Sequence, residues 1–229
     1  IVGNALIGVI HVYPWQDPTA WLKPRIEDAR ENGLWVILAL HEPALTTAWY
    51  EDKRDTVLQQ LNALNPDLVF AGNQHSYERF HPMSPLEENT FQVTKSESGE
   101  YQSGDGTIHI VSGGGGATLK PFADLQNNEK RTAPKEVFDA LANRALMHHF
   151  ITLDVSTDSL QATVWRVCVE DDPDDNQNPR WKSRKKFWKT IPLECDGKPE
   201  GVTVYEEFEI KANIRKPFSL FPDIPALAH

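Results

Sequence analysis

The sequence predicts an α/β fold with a mixed sheet, parallel in its first part and closed by an antiparallel hairpin. Three observations carry this. Three short apolar runs, Ala5 to Tyr13, Leu34 to Leu40 and Leu68 to Ala71, alternate with two stretches of helical spacing. Near-continuous apolar runs of this length are the pattern of strands buried on both faces, as parallel strands are. Further along, His149 to Val155 and Leu160 to Val167 are joined by Ser156-Thr157-Asp158-Ser159, which reads as a hairpin.

The elements follow in order. Ala5 to Tyr13 is rich in β-branched residues and reads as the first strand. Asp17 and Pro18 open a helix running to Asn32, with Trp21, Leu22, Ile26 and Ala29 on one face and Gly33 at its end. Pro24 lies inside it and predicts either a kink or a later true start. Leu34 to Leu40 is the second strand and terminates in His41-Glu42-Pro43. A second helix, roughly Asp52 to Leu64, presents Val57, Leu58, Leu61 and Leu64 at helical spacing. Asn65-Pro66-Asp67 turns into the third strand, Leu68 to Ala71. Strand, helix, strand, helix, strand implies parallel neighbours with right-handed crossovers. Neighbouring strands of that kind bring the loops bearing His41 and His75 to one edge of the sheet.

The second half changes character. Thr90 to Val93 and Thr107 to Val111 read as shorter strands, with Lys95 to Gly106 a polar loop between them. A glycine run, Gly113 to Gly116, follows, and Lys135 to Leu146 reads as a helix. Val202 to Ile210 is a further strand. The whole, residues 1–229, reads as one domain, with a charged insertion at 169–200 and a proline-containing extended tail at 211–229. The insertion carries an acidic run, Glu170 to Asp175, and a basic run, Arg180 to Lys189. Its halves pairing with each other in solvent is one reading, and a partner-binding loop the other.

Composition narrows the function. The formal net charge of -10 argues against a general nucleic-acid binder, whose affinity rests on neutralising phosphates. No apolar run approaches the roughly 20 residues a membrane-spanning helix needs. The chain opens Ile1-Val2-Gly3-Asn4 and reads as a processed chain or a fragment. Cys168 and Cys195 bracket the insertion. A disulfide between them would point to an oxidising, extracytoplasmic compartment, and two unpaired thiols is the alternative.

The chemistry concentrates after the third strand. Leu68 to Ala71 is broken by Gly72 and opens onto Asn73, Gln74, His75, Tyr77, Glu78 and Arg79. Imidazole is a common metal ligand, and sites in α/β proteins form at the carboxyl ends of strands. His41 and His75 are therefore the candidate metal ligands of a shared site. Two histidines do not close a zinc or iron site, which takes about three or four protein ligands. His148 and His149, which open a strand, are candidate near-site residues; His109, His81 and His11 read as structural.

Gly72-Asn73-Gln74-His75-Ser76-Tyr77-Glu78-Arg79 resembles the Gly-His-x-His-x-Tyr-Glu-Arg motif of the calcineurin-like metallophosphoesterases, in the purple acid phosphatase-like branch. Leu38-Ala39-Leu40-His41-Glu42-Pro43 is similar to the family's preceding strand ending in His-x-Pro, and Val111 to Ala117 to its later glycine-rich strand end. The resemblance covers roughly Ile1 to Val167. It implies a four-layer αββα sandwich and a hydrolase of phosphomonoesters or phosphodiesters. Two divalent or trivalent transition metals would activate a water for attack on phosphorus. His41 would ligate one ion and His75 the other, with Asn73 a weak ligand. Tyr77, Glu78, Arg79 and Gly72 would orient the loop behind them.

Two departures stand out. The family's first motif histidine is Asn73 here, whose carbonyl oxygen is a weaker ligand than imidazole. The family's amino-terminal aspartate and Gly-Asn-His metal motifs are absent. The chain thus resembles the carboxyl-terminal portion of such an enzyme. Its expected partners are a phosphate-ester substrate and a missing amino-terminal half, from the same precursor or as a separate chain. By itself it is expected to be inactive. The alternative is a metallophosphoesterase-like pseudoenzyme that lost one metal through Asn73 and serves as a binding module, using the Arg180 to Lys189 loop.

Overall fold

The computed structural model describes residues 1–48, 53–85, 90–117, 119–120, 122–126, 129–168 and 198–213. Strand β1 (Ala5–Ile10), helix α1 (Thr19–Glu31), β2 (Trp35–Leu40), α2 (Lys53–Ala63) and β3 (Leu68–Ala71) appear in the predicted order. β2 runs parallel to both β1 and β3. At the start of α1 the Asp17 carboxylate accepts the Thr19 N–H at 2.9 Å. Pro24 sits inside the helix, which begins at Thr19 and runs through it. Proline removes one intrahelical hydrogen bond, and burial of Leu22, Ile26 and Ala29 holds the helix on the sheet nonetheless.

The remaining strands are β4 (Tyr77–Phe80), β5 (Met83–Pro85), β6 (Phe91–Val93), β7 (Glu100–Gln102), β8 (Ile108–Ser112), β9 (Leu141–Ala145), β10 (His148–Val155), β11 (Ser159–Cys168) and β12 (Gly201–Lys211), with helix α3 (Lys135–Ala140) before β9. They form a six-stranded sheet ordered β1-β2-β3-β8-β4-β9, a four-stranded sheet ordered β10-β11-β12-β7 and a β5-β6 hairpin. The first sheet is mixed: β3 and β8 pair in parallel, and β4 is antiparallel to both β8 and β9. β10 and β11 form the expected antiparallel hairpin.

Alternation along the strands builds two cores. Val36, Leu38 and Leu40 of β2, Val69 of β3 and Val111 of β8 pack with Leu22 and Ile26 of α1, Leu58 and Leu61 of α2, and Val137 of α3. Trp35 and Ile37, Leu68, and Ile108 and Ile110 face the other way, onto Leu160, Ala162 and Val164 of β11 and Phe208 and Ile210 of β12. The layers are therefore helices, sheet, sheet. The indole of Trp35 donates to the Ser156 carbonyl at 2.7 Å, tying the first sheet to the hairpin turn of the second.

Three sequence expectations are corrected. The helix expected over Lys135 to Leu146 ends at Ala140, and Leu141–Ala145 is a strand. The open edge of β4 supplies backbone partners for that segment, and tertiary pairing overrides helix propensity. Within the loop expected over Lys95 to Gly106, Glu100–Gln102 adds a parallel strand beside β12 and buries Tyr101. Tyr77–Phe80, expected as part of a polar loop, is a fully buried strand. Residues 169–197 of the expected insertion and 214–229 of the expected tail lie outside the described residues, and β12 extends through Lys211. Cys168 is disulfide-bonded; Cys195 lies outside the described residues.

Candidate functional site

The loops after β2 and β3 meet at the carboxyl edge of the parallel strands. The last pair in register is Leu40 with Ala71, and the Gly72 N–H then donates to the His41 carbonyl at 3.0 Å. His41 is exposed and His75 half-buried. The structure thus places both histidines on adjoining loops of one edge. Gly72 is less constrained than a close-approach glycine: a Cβ there would lie 3.6 Å from the His41 carbonyl oxygen and 3.7 Å from its Nδ1, ordinary contact.

Asn73 adopts a left-handed backbone conformation, φ +58°. Asparagine tolerates this region better than most side chains. Its backbone carbonyl accepts the Lys120 ammonium at 2.6 Å. The Gln74 side-chain amide donates to the Lys120 carbonyl at 2.7 Å, and the Lys120 N–H donates to the His75 carbonyl at 3.0 Å. Lys120, some 45 residues downstream, therefore ties down each residue of the 73–75 segment. Lys120 was not a sequence candidate, because nothing local marks a lone lysine as a clamp.

The glycine run explains its own position. A Cβ on Gly113 would lie 2.0 Å from the Gln74 carbonyl oxygen, and one on Gly114 would lie 2.4 Å from the His149 Nδ1. Real Cβ atoms do not approach so closely, so glycine at 113 is what lets the β8 end pass against the His75 loop. His149 is buried, with its Nε2 and the Ser112 hydroxyl 2.9 Å apart and its ring edge-on to Tyr77. The His148 Nδ1 lies 3.1 Å from the Gly114 carbonyl oxygen.

The Tyr-Glu-Arg triplet splits between the two faces of β4. Tyr77 donates through its hydroxyl to Glu206 of β12. Arg79 reaches the same carboxylate through Nε at 2.9 Å and donates to the Tyr101 hydroxyl at 2.9 Å. Asn143 of β9 adds a donor to Glu206 at 2.7 Å. Burial by itself raises the Glu206 pKa, but the hydrogen bonds and charge of Arg79 outweigh it and hold the carboxyl below its ordinary range. Burial, then the Glu206 charge, pushes the Tyr77 phenol well above its usual range. Glu78 points the other way. It is fully buried and accepts the Thr47 N–H at 2.8 Å together with the hydroxyls of Thr46 and Thr47. Burial raises its pKa, and those hydrogen bonds and Arg144 counteract only part of the shift. Glu78 thereby pins the loop that follows His41. Glu206, Thr46 and Thr47 were not sequence candidates, since each acquires its role from a partner 30 or more residues away.

His109, expected as a packed residue, is buried with its Nε2 2.6 Å from the Asn62 side-chain oxygen. Burial lowers its pKa to about 3, and burial likewise lowers that of His149 to about 4. An unfolded histidine titrates near 6.5. Between that pH and about 4 the unfolded chain binds protons that the folded chain refuses, so stability falls on acidification. We expect the urea midpoint to drop between pH 7 and pH 4.5, with a shallower slope in His109→Gln. Glu78 acts in the opposite sense over its own raised range, so the comparison is of slopes between the chain and the variant. An unchanged slope would refute the assignment.

Among the described residues no group of three or more His, Cys, Asp or Glu side chains is placed to hold a metal ion. His41 and His75, with the side-chain oxygen of Asn73, thus do not by themselves fit a two-metal centre. No helix among the described residues is long and apolar enough to cross a membrane.

A helix-backed mixed sheet stacked on a second sheet, with its histidine loops at the carboxyl edge of the parallel strands, is a metallophosphoesterase-like architecture. The fold matches the purple acid phosphatase PPD1 of yellow lupin seeds with a TM-score of 0.54 at 16% identity, over 90% of this chain and 31% of that one. In sequence it is 31% identical over 119 residues to an uncharacterised Mycobacterium tuberculosis protein, covering 48% of this chain and 22% of the relative. It is also 31% identical over 110 residues to the probable inactive purple acid phosphatase 1 of Arabidopsis thaliana, covering 43% of this chain and 17% of that protein. No family model matches. The chain thus shares its fold with a purple acid phosphatase and is similar in sequence, over less than half its length, to a purple acid phosphatase-like protein. It spans about a fifth of the length of these curated relatives, and this coverage fits a carboxyl-terminal portion.

Proposed function

We propose that this chain is one part of a metal-dependent phosphoesterase that hydrolyses phosphomonoesters or phosphodiesters with a metal-activated water. The observation that carries the reading is the junction of the His41 and His75 loops, where the Gly72 N–H meets the His41 carbonyl at 3.0 Å. His41 and His75 are each assigned to one metal, with Asn73 as a weak additional ligand. Tyr77, Glu78, Arg79 and Gly72 support that edge, and His148 and His149 stand beside the glycine run. The remaining ligands belong to an amino-terminal half, supplied by the same precursor or by a second chain. Both metals are divalent or trivalent transition ions. The Cys168 disulfide supports an extracytoplasmic setting.

The 229-residue chain alone is expected to release no product above background from a chromogenic phosphate ester, and robust turnover would sink the proposal that ligands are missing. Metal analysis of a longer form tests the rest: two equivalents per chain support the enzyme. Asn73→His is expected to raise zinc affinity by about tenfold or more, since it exchanges a carbonyl oxygen for an imidazole. Equilibrium dialysis showing no change would remove Asn73 from the metal edge.

A second reading, a metallophosphoesterase-like pseudoenzyme acting as a binding module, is favoured by Asn73 itself and by the word "inactive" in the name of the Arabidopsis relative. On that reading the longer form holds no stoichiometric metal, and the Arg180 to Lys189 loop, outside the described residues, is its binding element.

A further inference from the structure

Beside His41 lies a cleft of about 360 Å³ that none of the roles above uses. This lies within the range of small-molecule pockets, roughly 300–1,000 Å³. It opens at the carboxyl ends of β1 and β2, the place where parallel sheets bind ligands. Its walls include the aromatic rings of Tyr13 and Trp15, the apolar Pro43 and Val57, and the Arg54–Glu42 ion pair.

The aromatic walls are held in place. The Trp15 indole donates to the Gln60 side-chain oxygen at 2.8 Å, and the Gln60 amide donates to Asp17 at 3.0 Å. The Arg54 side chain is almost wholly buried and donates to Glu42 at 2.9 Å, so the residue next to His41 forms one side of the cleft. The Tyr13 ring lies 6.2 Å from the His41 imidazole, centroid to centroid, at 58°. Tyr13 is 55% exposed, so its ring is a contact surface, not a packed core residue.

We propose that this cleft is the leaving-group subsite: it takes the planar aromatic or heteroaromatic group of a phosphate ester whose phosphorus lies at the His41–His75 edge. The inference rests on the phosphoesterase reading for where the phosphorus sits. Tyr13 is the specificity residue, because of the cleft's two described aromatic rings it is the one in ring contact with His41. A ring resting against Tyr13 or Trp15 gains offset or edge-to-face contacts that a saturated ring of similar size does not. Aryl esters and nucleotides share this chemistry, and the test separates them.

The test titrates the 229-residue chain, with and without zinc, by calorimetry. The probes are methylphosphonate, cyclohexylphosphonate, phenylphosphonate and a non-hydrolysable phosphonate analogue of adenosine monophosphate. Phenylphosphonate is expected to bind roughly three- to tenfold more tightly than cyclohexylphosphonate, the range of an aromatic pair. Tyr13→Ala is expected to erase that preference and Tyr13→Phe to keep it. Exposure of Tyr13 makes both variants compatible with folding, which circular dichroism checks. Tighter binding of the adenosine probe identifies a nucleotide source, and tighter binding of phenylphosphonate an aryl source. Equal affinities for the phenyl and cyclohexyl probes, or a preference untouched by Tyr13→Ala, overturn the subsite. Zinc retention lost in a His41→Ala, His75→Ala variant reports separately on the metal reading. Zinc held with no aryl preference overturns the cleft alone; an aryl preference on a chain that holds no zinc upholds the cleft, and the metal reading is then decided by metal analysis of the longer form.

Discussion

Replacing Glu206 with Leu is expected to cost about 3–5 kcal/mol of folding stability, the scale of breaking a buried ion pair on one side. Glu206 receives Arg79 at 2.9 Å, the Tyr77 hydroxyl and Asn143 at 2.7 Å, all between the two sheets. Without it the Arg79 guanidinium, 7% exposed, is left buried against the Tyr101 hydroxyl with no carboxylate to balance its charge among the contacts described. Urea denaturation measures the loss. Combining Glu206→Leu with Arg79→Met is expected to recover part of it, because the uncompensated charge goes as well; strictly additive losses would show that the pair is not coupled. The same pair carries an acid dependence. The folded-state pKa of Glu206 is depressed, so its contribution is present above the unfolded carboxyl value near 4.3 and is lost as pH falls through the folded value. The slope in that range is expected to flatten in Glu206→Leu.

Gly113→Ala is expected to disturb the candidate metal edge from behind. The new methyl would stand 2.0 Å from the Gln74 carbonyl oxygen, a backbone atom that cannot rotate away. Overpacking of this kind costs about 1–3 kcal/mol. The relief is a shift of the 73–75 segment, so zinc affinity is expected to fall by about tenfold or more along with stability. Gly115→Ala is the control. Nothing lies within 4 Å of its built Cβ, so a change within about 0.5 kcal/mol is expected there. Equal effects of the two substitutions, read by urea midpoints and zinc dialysis, would refute the close approach of β8 to the His75 loop.

The subsite test at Tyr13 is independent of both. It concerns an exposed ring at the other side of His41, and neither the Glu206 network nor the Gly113 contact enters it.

The parallel half was legible because each of its strands is a local apolar run and each helix a local periodicity. Leu68–Ala71 is the clearest case, predicted and observed over the same residues. The antiparallel hairpin was legible for the same reason, from alternation and a turn of small polar residues. β4 was not. Tyr-Glu-Arg-Phe carries two charges in four residues, and local hydropathy assigns it to a loop. Its burial rests on Glu206 and on Thr46 and Thr47, all distant in sequence. β7 and β9 were missed for a related reason: Glu100–Gln102 and Leu141–Ala145 become strands only because β12 and β4 present them with free edges.

The sequence by itself determined the strand–helix order, the adjacency of the His41 and His75 loops, and the kinship with purple acid phosphatase-like proteins. These follow from periodicity and from one contiguous motif. Tertiary structure alone decided which face each residue of Tyr77-Glu78-Arg79 serves, that Gly113 must be glycine, and that Tyr13 lies beside His41. The physical reason is that desolvation and close contact depend on what lies opposite a residue across the fold, and a linear pattern records only its neighbours along the chain.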